Sequence, residues 1–353
     1  MKMKKLARVF TSAALVSAMV ATMGGMTSFA AVESIPLTKT VTTDGNTYAP
    51  NTSFTFSVVP GGSETRKIGD VENVLVSGGV EEGLVFANGN STVTFAPEGT
   101  SPAKEGYTDT SLALSINSTK FTVPGVYHYV VQEESGSYEG IEYDTVTRDI
   151  YLYVENVTGG VEVTNAIIAI DGVKQNGLDF TNNYGKEGEP ETPDGPKPGD
   201  TTHDLTVTKV VTGNQGDKSK AFDFSVSVAG GDGEWYKVVF TNQNNETTES
   251  HLVSGADSVI YPLKDGESIQ IYGLTESDKY TVTEADYGSD GYTTTNGSKT
   301  DVVTDDGDSY TVTNDKSVTT PTGIVLSFAP YILLVALAGV FGVLFLRRKK
   351  EEF

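Results

Sequence analysis

The run from Leu205 to Val211, LTVTKVV, is the feature that most restricts how this chain can fold. It alternates with period two, as a strand with one buried face does. Leu205, Val207 and Val211 share that face, and Lys209 shares it with them. An ammonium on the apolar face of a strand is costly unless it is neutralised or snorkels to water. Two more strands in the same half carry a related anomaly. YTVTE aligns Tyr280, Val282 and Glu284, and YTVTN aligns Tyr310, Val312 and Asn314. A lysine, a glutamate and an asparagine therefore point inward, in that order along the chain.

The first half repeats the order. IPLTKTV places Ile35, Leu37, Lys39 and Val41 on one face. YHYVVQE places Tyr127, Tyr129, Val131 and Glu133 together, and LDFTN places Leu178, Phe180 and Asn182 together. The neighbours Glu134 and Asn183 have the opposite parity. FTFSV at 54–58 and FDFSV at 222–226 follow the two lysine strands at similar distances, which marks an internal repeat.

Composition narrows the function classes. The chain has 353 residues, no cysteine and a formal net charge of -22. That charge argues against nucleic acid, whose backbone demands Lys and Arg, and suits a self-repelling surface facing the medium. Thr, Val, Tyr and Gly are abundant and no long amphipathic helical run is visible, so the chain reads as all-β. Covalent stiffening, if present, cannot come from disulfides. His128, His203 and His251 are scattered and offer no metal set, and no cofactor site is expected. No Ser/His/Asp or Cys/His constellation is visible, so an enzyme acting on an external substrate is not expected.

Along the chain, residues 1–30 read as a secretory signal. Lys2, Lys4, Lys5 and Arg8 precede an apolar run, and Ser28-Phe29-Ala30 suits cleavage after Ala30. Residues 31–183 are expected to form a first β-domain, entered by turns such as Asp44-Gly45 and Pro60-Gly61-Gly62. Within it, roughly 60–110 shows no clear strand pattern. Residues 184–203 are rich in Pro, Gly and acids and read as an extended, semi-rigid linker. Residues 204–314 form a second, smaller domain in which Asp265-Gly266 is a hairpin signal. Trp235 reads as core or edge packing, and Asp305-Asp306-Gly307-Asp308 as a solvated turn rather than a calcium loop. From 315 the chain is a C-terminal signal. Thr320-Pro321-Thr322-Gly323 precedes the uncharged stretch 324–346, long enough to span a bilayer. Arg347, Arg348, Lys349 and Lys350 form a basic tail that stays cytoplasmic.

This arrangement resembles the major backbone pilins of streptococcal-type, sortase-assembled pili. The likeness covers both domains and the tail, through LTVTKVVTG, KSKAFDFSV, LKDGESI, YTVTEADY and PTGIVLSFAPYI. The resemblance implies two tandem Ig-like (CnaB-like) β-sandwiches, each closed by a spontaneous Lys–Asn isopeptide bond beside a Glu. Carried over by motif, Lys39, Glu133 and Asn182 form one triad, and Lys209, Glu284 and Asn314 the other. Burial would lower the lysine pKa and raise that of the glutamate. A neutral amine could then attack the carboxamide, with the acid polarising the carbonyl and moving protons to departing ammonia. The tail implies that a pilus sortase cleaves between Thr322 and Gly323 and that a lysine of the next identical subunit attacks Thr322. Lys174, in DGVKQNGLDFTN, is the expected acceptor and Lys186 its rival. The expected product is a cell-surface pilus shaft, with accessory pilins and attachment to peptidoglycan. A wall-anchored adhesin or minor pilin that binds a host or matrix ligand is the alternative.

Overall fold

The computed structural model describes residues 31–98, 102–185, 202–304, 307–319 and 331–341. The described chain is almost wholly β-strand, and its apolar side chains gather into two main cores. One is built from Ile35, Leu37, Phe54, Phe56, Leu114, Val131, Leu152 and Phe180 among others. The second is built from Leu205, Val207, Phe222, Phe224, Val238, Ile271 and Val282 among others. No core residue is shared, so the architecture is two tandem Ig-like β-sandwiches.

Each sandwich is organised by one parallel pair. In the first, the strand Ser34–Thr42 runs parallel to Leu178–Tyr184, with Lys39 opposite Phe180 and Val41 opposite Asn182. In the second, His203–Thr212 runs parallel to Asp308–Asp315, with Lys209 opposite Val312 and Val211 opposite Asn314. The register is the same. Because side chains alternate with period two, it puts each lysine and asparagine on one face, one diagonal step apart. The facing sheets also match. Phe56 on Thr52–Pro60 pairs with Glu133 on Gly125–Glu133. Phe224 on Phe222–Ala229 pairs with Glu284 on Lys279–Glu284.

The stretch without clear pattern in the first half resolves into short strands with two jobs. Glu64–Ile68 and Val71–Gly78 form a hairpin across the outer face of the sheet that carries Glu133. Ile68 and Val76 pack there on Tyr151 and Ala169 as a small separate core. This second cover explains why Ile150, Tyr151 and Leu152 are buried in succession, where a strand with one wet face would alternate. Leu84–Phe86, Gly106–Asp109 and Ala113–Ile116 extend the opposite sheet, two of them directly beside the lysine strand.

Asp265-Gly266 does not close a hairpin. It joins Val259–Leu263 in one sheet to Ser268–Leu274 in the other, and so forms a corner of the sandwich. The reason is local. Gly266 adopts φ +77° and donates its N–H to Lys209 O at 2.8 Å, while Asp265 Oδ1 accepts Val211 N–H at 2.7 Å. The turn is bonded to the lysine strand rather than to a hairpin partner, and the left-handed backbone favours glycine there.

The expected linker touches the strands at both margins. Tyr184 ends the asparagine strand and is buried, and His203 begins the next lysine strand. Residues 186–201 lie outside the described chain. Side chains from both halves nevertheless meet. Tyr184 and Tyr138 donate their hydroxyls to Glu234 Oε1 at 2.7 and 3.3 Å, and Tyr236 donates to Oε2 at 2.8 Å. Trp235 stacks on His251 at 4.0 Å and meets the edge of Tyr48 from the first sandwich. It is therefore edge packing, at the seam between the halves. Tyr184→Phe would remove a charge-assisted bond to a buried carboxylate, a loss of about 2 kcal/mol. Chemical denaturation should show that loss as a lower unfolding midpoint.

Candidate functional site

The six inward polar residues are buried among the described residues, and each trio is brought together. Lys39, Asn182, Lys209 and Asn314 have no exposed surface, while Glu133 and Glu284 retain 6% and 7%. In the first sandwich Lys39 Nζ lies 2.6 Å from Glu133 Oε2, and Asn182 Nδ2 donates to Glu133 Oε1 at 2.6 Å. One carboxyl group thus bridges amine and carboxamide through its two oxygens. In the second, Lys209 Nζ lies 3.0 Å from Glu284 Oε1, and Asn314 Nδ2 donates to the same oxygen at 3.2 Å. Thr294 Oγ1 donates to Glu284 Oε2 at 3.3 Å.

Aromatic rings wall both sites. Lys39 Nζ sits 4.4 Å from the Phe54 ring centre, and Lys209 Nζ sits 4.5 Å from that of Phe222. These phenylalanines belong to the repeated FTFSV and FDFSV runs. Phe56 packs on Phe180, the residue opposite Lys39, at 4.9 Å. The rings exclude water, and their faces make a weak complement to whatever positive charge remains.

Exclusion of water shifts the protons. Burial pushes Lys39 down to about 8 against the opposing pull of Glu133, and it lowers Lys209 as well. Burial also raises Glu133, although Lys39 and Asn182 hydrogen-bond to it. The directions are complementary, because a low-dielectric site disfavours both charges at once. In the first site each shift moves its group toward the uncharged form.

Two residues that strand alternation does not mark, Asp144 and Arg148, complete the first site. Asp144 N–H donates to Asn182 Oδ1 at 2.8 Å, so the carbonyl oxygen faces a backbone amide while Glu133 holds the nitrogen. Arg148 braces that segment. Its Nη1 and Nη2 donate to the two Asp144 oxygens at 2.7 and 2.6 Å. Nε and Nη2 also reach Asp179 O. Burial works against the Asp144 carboxylate, but Arg148 and the Thr181 and Val146 amides outweigh it and hold it below the usual carboxylate range. No periodic signal marks residues 134–147, so only the spacing Asp144–Arg148 could have hinted at the pair.

The outward neighbours do other work. Glu134 is exposed. Asn183 accepts from Thr42 at 2.6 Å and donates to Glu142 at 3.0 Å. Lys174 is exposed on the short strand Val173–Lys174 at a sheet edge. Lys186 and the motif Thr320, Pro321, Thr322 and Gly323 lie outside the described residues. Of the expected span 324–346, residues 331–341 are described and helical. Among the described residues no helix is long and apolar enough to cross a membrane.

The lysine shift makes a measurable prediction. In an Asn182→Ala chain Lys39 has no carboxamide to react with. Its lowered pKa means that the unfolded state binds more protons between pH 8 and 10.5, so stability rises with pH there. Against the same chain carrying Lys39→Met, the gain should be on the order of 3 kcal/mol. Urea titrations at a series of pH values read it directly, and a flat difference would contradict the assigned burial cost.

Comparison with known proteins fits this geometry. Residues 35–185 match the family described as a Spy0128-like isopeptide containing domain, and residues 203–316 match a domain family of unknown function. The chain is 29% identical to a pilin of Streptococcus pyogenes serotype M1, with 99% of this chain and 100% of the relative covered. It is 30% identical over 128 residues to the pilus tip adhesin Cpa of Streptococcus pyogenes, across 35% of this chain and 18% of the relative. The crystal structure of the major pilin from Streptococcus pyogenes superposes with a TM-score of 0.54 at 24% identity, covering 81% of this chain and 99% of that one. The major pilin T3.2 of the same species gives 0.52 at 25% identity, covering 80% and 98%. With the lysine–glutamate–asparagine clusters at one register in both sandwiches, the chain is similar over its whole length to a streptococcal pilin, and it is a major pilin-like structural subunit whose residues 35–185 match an isopeptide-domain family.

Proposed function

We propose that this chain is the repeating shaft subunit of a covalent cell-surface pilus, with each sandwich closed by its own Lys–Asn amide. The observation that carries the reading is the recurrence of one dry trio at one register in two sandwiches. Lys39 Nζ, as the free amine, attacks Asn182 Cγ. Glu133 Oε2 takes the proton that Nζ sheds, and the carboxyl group returns a proton to Nδ2 from Oε1. Ammonia leaves, the amide remains, and Glu133 ends as it began. Lys209, Glu284 and Asn314 do the same through a single carboxylate oxygen. The fold supplies the proximity. Each sandwich is thus a single-turnover reactant and not an enzyme with an external substrate.

The links would tie the first strand of each sandwich to its last. By analogy with disulfide loop entropy, each contributes about 5 kcal/mol. The mechanical effect is larger. Tension entering on a lysine strand leaves through the adjacent asparagine strand, so the remaining strands carry little of it.

Assembly uses the tail. A pilus sortase cleaves between Thr322 and Gly323, holds Thr322 as a thioester and yields it to a lysine of the next subunit. Lys174 suits that role because it is exposed at a sheet edge just before the asparagine strand, with Lys186 as the rival. Accessory pilins and peptidoglycan complete the structure. The adhesin or minor-pilin reading draws on the partial likeness to a tip adhesin and requires no acceptor lysine.

Two measurements test this. The intact mass of the purified ectodomain should fall short of its sequence by two ammonia molecules, with Glu133→Ala and Glu284→Ala each restoring one. Cell-wall extracts of a sortase-competent strain should give a detergent-resistant ladder that collapses to monomer with Lys174→Ala. A full mass would remove the intramolecular bonds. A single wall-attached band in the unmodified strain would favour the adhesin.

A further inference from the structure

The two sites are alike in their trios and differ in what faces the asparagine carbonyl. Asn182 Oδ1 accepts a 2.8 Å hydrogen bond from Asp144 N–H. Asn314 Oδ1 is buried and has no partner among the described residues. The strands that flank the asparagines account for this. In the second sandwich Thr293–Thr295 runs beside the asparagine strand with Thr294 opposite Asn314. Its hydroxyl reaches Glu284 and not the carbonyl. In the first sandwich the equivalent pairing is only Ile141–Glu142, after which the chain leaves the sheet. Asp144 N–H is thereby free to turn over Asn182.

The turn is held in place by buried charge. Arg148 is 6% exposed, forks onto Asp144, donates to Asp179 O and Val146 O, and lies 3.9 Å over the Phe180 ring. Thr181 N–H donates to Asp144 Oδ2 at 3.1 Å. The Asp144 carboxylate is thus fixed from the guanidinium and from the asparagine strand itself. Its own N–H has no reason to move when the reaction begins.

We propose that the Asp144 backbone N–H is an oxyanion donor for amide formation at Asn182, that Arg148 is the positioning residue which holds it, and that the second sandwich lacks this element. The inference rests on the crosslinking reading above. When Lys39 Nζ bonds to Asn182 Cγ, the carbonyl π pair moves onto Oδ1, and that oxygen carries negative charge until Nδ2 departs as ammonia. A fixed backbone donor at this buried oxygen stabilises the charge without reorganising. Glu133 serves the nitrogens and has no oxygen left for the carbonyl. The Lys39–Asn182 link should consequently form faster than the Lys209–Asn314 link in the same molecule.

The full chain can be prepared unfolded, refolded and sampled over time, with each link scored by proteolysis and mass spectrometry. The second sandwich is the internal clock. Replacing residue 144 by the α-hydroxy analogue of aspartate swaps its N–H for an ester oxygen and leaves every side chain in place. That chain should form the Lys39–Asn182 link roughly 100-fold more slowly, with the Lys209–Asn314 rate unchanged. Arg148→Gln should slow the same link, and Arg148→Lys should recover part of the rate. An ester chain that links at the unmodified speed would overturn the inference alone. An unmodified chain that folds without linking Lys39 to Asn182 would overturn the crosslinking reading and this inference with it.

Discussion

The structure depends on the burial of two lysine amines where neither water nor a solvated counterion can reach them. An ammonium in such a place is expensive unless it is paired or gives up its proton. Lys39 and Lys209 have no exposed surface, and each meets a carboxyl group and a phenylalanine face. The same desolvation that makes these positions costly for stability makes them useful for chemistry. A carboxamide is a poor electrophile and an ammonium is no nucleophile, so reaction needs a site that discharges the amine and holds it against one amide. A sandwich core works toward both, because it is dry and lowers the amine pKa and because a parallel pair sets the register of its strands rigidly.

Much of this was legible in the residues, for a definite reason. Period-two alternation assigns every strand residue to a face, so Lys39, Glu133 and Asn182 declare themselves by parity before any packing is known. The same rule separates Glu133 from Glu134 and Asn182 from Asn183, and the described burial of those residues follows it. The aromatic walls were visible as a repeat, although their contact with the lysines was not. Parity cannot act where the chain leaves the sheet. Asp144 and Arg148 face the first site from a turn and a strand start whose relation to Asn182 depends on tertiary packing. The hairpin of Glu64–Ile68 and Val71–Gly78 was hidden for a related reason. It covers the outer face of a sheet, and neither it nor the strand beneath shows simple alternation. Asp265-Gly266 carries the residues of a hairpin turn but serves a sheet-to-sheet corner, because turn chemistry specifies local backbone and not the partner of the strand that follows.

The seam between the sandwiches uses a second buried carboxylate in a different way. Glu234 is 4% exposed and accepts from Tyr138, Tyr184, Tyr236 and the Gly231 amide. Among the described residues no lysine reaches it, and all four of these donors are neutral. The neighbouring Asp278 is pushed up to about 7 by burial and by the charge of Glu234, so the two acids share the space with less than two full charges near neutrality. Tyr138 and Tyr184 come from the first sandwich, so a fully donor-satisfied acid joins the halves. The trios are built the other way, with an acid whose partners can exchange protons.

A third grouping of the same residue types separates composition from chemistry. Across the seam Lys237 Nζ donates to Asn46 Oδ1 at 3.1 Å and pairs with Glu249 Oε1 at 3.1 Å. By residue type this is another lysine, asparagine and glutamate. The Glu249 side chain is 52% exposed, however, and Lys237 contacts the carbonyl oxygen of the amide rather than sharing its nitrogen with an acid. Water reaches the Glu249 carboxylate even though the Lys237 side chain is only 11% exposed, so the pair is a partly solvated ion pair contributing about 1 kcal/mol or less. Among the described residues no acid holds Asn46 Nδ2, so none stands ready to protonate a departing nitrogen. What distinguishes the two core trios is therefore the loss of solvent around them, imposed by phenylalanines and by strand register, and not the presence of three particular side chains within reach of one another.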